Sequence, residues 1–124
     1  MLVNRTAWCE SSYGTSLLVF TTDGSEALED AVIVSHPTGD STKRIDLRRV
    51  QITAESPCVI TIGSKLGTDD TVPLLTWIVS EVACCPIDWE GTRKCAAGAD
   101  LVVTTDKAVG LAINLDYTTR QVVN

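Results

Sequence analysis

The stretch "VGLAINLDYT", Val109–Thr118, alternates without interruption. Val109, Leu111, Ile113, Leu115 and Tyr117 occupy one phase; Gly110, Ala112, Asn114, Asp116 and Thr118 occupy the other. A repeat of two is the side-chain period of a β-strand, with one face on a core and the other toward solvent. Such a strand needs hydrogen-bonding neighbours along its edges, so the rest of the chain should supply more strands.

It does. "SLLVFTT" (Ser16–Thr22) leads into the turn signal "DGS", and "EALEDAVIVS" reads as a turn followed by a β-branched strand. "PCVITIG" sets Cys58, Ile60 and Ile62 on one face. "VPLLTWIVSEVAC" (Val72–Cys84) sets Leu74, Ile78 and Val82 on one side and Leu75, Trp77 and Val79 on the other, with Pro73 near its start. "DLVVTT" (Asp100–Thr105) is a further strand. In "KRIDLRRVQIT" (Lys43–Thr53), Ile45 and Leu47 alternate in one phase and Val50 and Ile52 in the opposite one. The slip at Arg48–Arg49 is the signature of a β-bulge, or of two strands meeting at a corner. "ACCPIDWEGTRKC" (Ala83–Cys95) reads as a loop in which Pro86 ends one strand and Gly91 permits a turn.

With no convincing helix and turn signals about every ten residues, the expected fold is all-β. It is an antiparallel β-sandwich or jelly roll of seven or eight short strands. Residues 1–15, which show no periodicity, form an irregular N-terminal arm, and residues 16–124 form a single domain.

Composition bounds the function. The 124 residues suffice for one core, built from aliphatics because aromatics are only 5%. The net charge of −6 argues against general nucleic-acid binding and against docking on an anionic membrane. No apolar run is long enough for a membrane span, and the N-terminal residues lack a secretory signal, so folding in a cytoplasm is expected. The sequon Asn4–Thr6 is then a chance match.

Few residues point to chemistry. Cys84 and Cys85 are adjacent, so in extended backbone they face opposite ways, and the single histidine, His36, is distant: no metal site is expected. No nucleophile with a base, phosphate loop or zinc-protease motif occurs, so no catalytic residue and no cofactor are expected; an enzyme using Cys85 or Cys95 would be the exception. The carboxylate pairs Glu29–Asp30 and Asp69–Asp70 read as solvated charge on turns. Cys85 and Cys95 are candidates for a disulfide closing a loop of about eleven residues, against free thiols in a reducing compartment. Lys43, Arg44, Arg48 and Arg49 crowd four basic residues into seven positions. They either blunt an edge strand or form a patch for an acidic partner surface. Trp89, with Arg93 and Lys94, is a candidate contact tip.

"AAGADLVVTTDKAVGLAINLDYTT", with "RRVQITAESPCVITIG" upstream, resembles small tailed-phage virion proteins, and more narrowly the jelly-roll decoration (cement) proteins of phage capsids. The resemblance implies a non-enzymatic structural protein of the virion. Its partner would be the major capsid protein, bound on the outer capsid surface, often as a homotrimer that clamps neighbouring subunits. The alternative is a carbohydrate- or host-binding β-sandwich module of a phage fibre.

Overall fold

The computed structural model describes residues 3–10, 15–36, 42–80 and 87–121, with 3–10, 15 and 16 as backbone. Nine strands occur among them: β1 (Val3–Glu10), β2 (Thr15–Thr22), β3 (Ala31–Val34), β4 (Lys43–Ala54), β5 (Cys58–Lys65), β6 (Val72–Val79), β7 (Ile87–Lys94), β8 (Asp100–Thr105) and β9 (Leu111–Gln121). They form two sheets, ordered β1-β2-β9-β4-β7 and β3-β8-β5-β6, with every pairing antiparallel. The chain is an all-β antiparallel sandwich. The pairs β2/β9, β3/β8, β4/β7 and β5/β6 are nested, each enclosing the next in sequence.

From Leu111 onward, the alternation of Val109–Thr118 belongs to β9, which lies mid-sheet between β2 and β4. Leu111, Ile113 and Leu115 are buried, opposite Ala54, Ile52 and Val50 of β4. The facing sheet contributes Ile60, Ile62, Leu101 and Val103, none more than 1% exposed. Each such fully buried side chain contributes about 1.5–3 kcal/mol.

Two expectations need correction. Residues 3–10 are not an irregular arm: they form β1, paired with β2 from Val3↔Thr22 to Glu10↔Ser16, with a register shift between Ala7 and Cys9. A backbone ladder on an edge does not require the alternation that was absent from the sequence. Residues 87–94 are not a loop: they form β7, paired with β4.

The phase slip in β4 is a bulge and not a corner. β4 runs unbroken for 12 residues. Leu47 pairs with Tyr117 and Arg49 with Asp116, which leaves Arg48 as the extra residue. Ile45, Leu47, Val50 and Ile52 are therefore all buried despite their opposite phases.

Candidate interaction surface

β7 and β6 are the terminal strands of their sheets, and neither has a second partner among the described residues. The short connections from β4 to β5 and from β8 to β9 set each of those pairs face to face across the core. β7 consequently lies over β6, and both open edges fall on one side of the sandwich. Leu74, Leu75 and Trp77 of β6 and Ile87 and Trp89 of β7 close the core there but remain half-buried. Ile78, on the outward phase opposite Val59, is 78% exposed, and Val72, at the start of β6 beyond its bulge, is 60% exposed.

β4 and β7 bring together residues that lie 39 to 48 positions apart. Val50 sits opposite Trp89, Leu47 opposite Arg93 and Asp46 opposite Lys94. Arg48, the bulge residue, donates from its guanidinium to Thr92 Oγ1 at 2.7 Å. Arg93 places Cζ 5.2 Å from the centre of the Trp89 ring, a cation–π contact. Trp89 is thus a strand residue rather than a loop tip. One face of its ring already holds Arg93, which leaves less of it for stacking on a sugar. Gly91 does not make a turn. A Cβ there would meet Trp89 Cζ2 at 2.9 Å, so glycine lets the indole lie across the strand.

The candidate contact residues divide at the bulge. Arg49 lies among acids: its Nε is 3.5 Å from Asp88 Oδ1, and it pairs across the ladders with Glu90 and Asp116. Burial raises the Asp116 carboxyl above its usual range; Arg49 opposes that shift and Glu90 adds to it. On the other side of the bulge stand Arg44, Arg48, Arg93 and Lys94, joined by Arg120 of β9, an isolated basic residue in the sequence. Arg120 is opposite Arg44 in the ladder. Between the two lies Asp46, 1% exposed, whose Oδ1 is 2.9 Å from Arg44 Nε and whose Oδ2 is 3.3 Å from Arg120 Nε. β4 is interior to its sheet, so its basic cluster does not blunt an edge. The edge is β7, and it carries charge of its own.

Cys95, directly after β7, is a buried free thiol; its candidate partner Cys85 lies outside the described residues, as do Cys84 and Pro86. Burial pushes the Cys95 thiol from an ordinary 9.0 up to about 11, with the Ser64 hydroxyl opposing. At neutral pH it stays protonated, the reverse of what an attacking thiolate needs. Asp30 is not the solvated turn charge its sequence suggests: its Oδ1 accepts from Thr71 Oγ1 at 2.7 Å and Thr104 Oγ1 at 3.3 Å, and Lys65 Nζ is 3.6 Å from Oδ2. His36 is 3.3 Å from the Asp100 carboxylate through Nδ1. Among the described residues, no group of three or more His, Cys, Asp or Glu could hold a metal ion. A depression of about 210 Å³ on the outer face of the five-stranded sheet, between Leu17, Val19, Gln51 and Asn114, is smaller than typical small-molecule sites.

No protein-family model matches the chain, and no curated protein matches it.

Proposed function

We propose that this chain is a structural protein of a phage virion that binds the outer capsid surface and bridges capsid subunits as a homo-oligomer, with the trimer as the expected state. The supporting observation is the β6/β7 side. Two open strand edges lie together there, with Ile78 exposed on the outer face, Val72 exposed at the strand end and two half-buried tryptophans inside. A sandwich with such a side is protected from indiscriminate pairing when neighbouring subunits cover it. The nested strand pairs wind as a jelly roll winds, and we read the sandwich as one, with β1 added outside β2. This topology agrees with the resemblance of the C-terminal half to decoration proteins; fold by itself does not specify the role.

The test is co-sedimentation of purified protein with assembled capsid shells, with light scattering to give its oligomeric state. The expected result is a trimer that binds shells at a fixed stoichiometry. A monomer at high concentration that leaves shells bare overturns the proposal, and glycan-array binding lost in Trp89→Ala would establish the fibre-module alternative.

A further inference from the structure

Three strand ends meet at one corner of the five-stranded sheet: Lys43–Arg48 of β4, Thr92–Lys94 of β7 and Thr118–Gln121 of β9. These residues hold six of the chain's ten basic side chains (Lys43, Arg44, Arg48, Arg93, Lys94, Arg120) and a single acid, Asp46. The rest of the chain is left with four basic against fifteen acidic residues, a net −11. The topology has therefore gathered a positive corner on a strongly negative molecule.

The corner is organised and not merely charged. Arg44 and Arg120 face each other across the β4/β9 ladder, where like charges repel. The buried Asp46 carboxylate between them offsets that repulsion and takes each guanidinium through Nε. No described contact occupies their terminal Nη groups. Arg44 and Arg120 are 28% and 54% exposed at the side chain. Two forks fixed side by side, with their remaining donors open to solvent, match the geometry of carboxylates. Lys94 lies in the ladder opposite Asp46, on the face of Arg44 and Arg120, and Arg93, opposite Leu47, is exposed on the other face of the edge strand.

We propose that this corner binds an acidic extended segment of a partner protein, with Arg44 and Arg120 clamping its carboxylates and Lys94 taking an adjacent charge, while Arg93 on the other face of the edge strand adds to the local positive field. A short segment is favoured over a nucleic acid or an anionic membrane by the surrounding charge. A long polyanion or a charged plane reaches past the corner onto surface of net −11, whereas a few carboxylates fit within roughly a Debye length, about 8 Å at physiological salt. The proposal does not rest on the capsid reading, because the chemistry is the same whichever protein carries the segment.

The probe is a fluorescein-labelled hexaglutamate peptide, followed by anisotropy against the whole chain. Saturable binding that weakens as NaCl is raised is expected, with affinity lowered about tenfold or more in Arg44→Gln/Arg120→Gln, the loss of two charge-assisted hydrogen bonds. Because that pair also supports Asp46, Arg93→Gln/Lys94→Gln serves as a second variant. It leaves the Asp46 contacts intact and is expected to weaken binding several-fold with an unchanged melting temperature. Arg5→Gln/Lys107→Gln, which removes the same charge elsewhere, should bind as the parent does. Absence of binding, or equal loss in the Arg5/Lys107 control, overturns the proposal. Tighter binding of a hexathymidylate or of phosphatidylserine vesicles also overturns it, as does self-association lost in Arg44→Gln/Arg120→Gln, since each assigns the corner another occupant.

Discussion

Thr118 sits on β9 opposite Asp46, 7% exposed, and its hydroxyl has no hydrogen-bond partner among the described residues. A buried hydroxyl without a partner costs about 1–3 kcal/mol in lost hydration. Thr118→Val keeps the shape and removes that cost, so the melting temperature should hold or rise by a few degrees; a clear fall would mean the hydroxyl is used. Cys95 yields a pH prediction. Its folded pKa of about 11 lies above the ordinary 9.0, so between those values the unfolded chain loses the proton while the folded one keeps it. Its contribution is fully present below about pH 9 and is lost as pH rises toward 11. Urea titrations at pH 8 and 10.5 should show a larger loss of stability in the parent than in Cys95→Ala, and native protein at pH 8 should shield this thiol from alkylation. The burial of Cys95 was not legible in the sequence, because its environment comes from Ser64 and Ile45, distant in the chain.

At the scale of the element, β4 shows how one residue governs a face. Arg48 is the inserted residue that lets Ile45 and Leu47 share the core with Val50 and Ile52. Deleting Arg48 removes the phase slip and turns Lys43–Leu47 over, driving Arg44 and Asp46 inward and Ile45 and Leu47 out. The deletion should abolish cooperative folding, whereas Arg48→Ala, which loses mainly the Thr92 contact, should cost less than about 1 kcal/mol. Circular dichroism melts of the two variants distinguish a role in register from a role in side-chain bonding. The slip itself was visible in the sequence; that it was a bulge was not, because a corner produces the same pattern. β7 shows the reverse. Ile87 and Trp89 do alternate with Asp88 and Glu90, but Gly91 and the charged residues beyond it look like a loop. An edge strand buries little, so its sequence need not carry a strong pattern; the β4 ladder supplies what makes it a strand. β1 was missed for the same reason.

For the whole molecule, the open edges of β6 and β7 give a prediction that belongs to the proposed assembly. Ile78 is 78% exposed on the outward side of β6, so Ile78→Glu should leave the monomer fold and its melting behaviour nearly unchanged. If subunits cover that side, the same substitution should dissolve the oligomer, read by light scattering; an oligomer that survives it has its interface elsewhere. The candidate surface was half legible at this scale. Arg44, Arg48, Arg93 and Lys94 stood out as local clusters, but their meeting and the addition of Arg120 depend on the β4/β7 and β4/β9 registers. Arg49 lay in the same run and ended among acids, because the bulge separates it from the basic corner.

By itself the sequence determined the fold class and the core faces of β5 and β9, because a repeat of two in apolar residues is a local property that burial on one face imposes. Only the tertiary structure decided which strands are edges, which way the bulge resolves, and that Arg44 and Arg120 meet at one buried carboxylate. Those outcomes depend on ladder register between distant segments, and a ladder is made of backbone hydrogen bonds, which leave little trace in side-chain order.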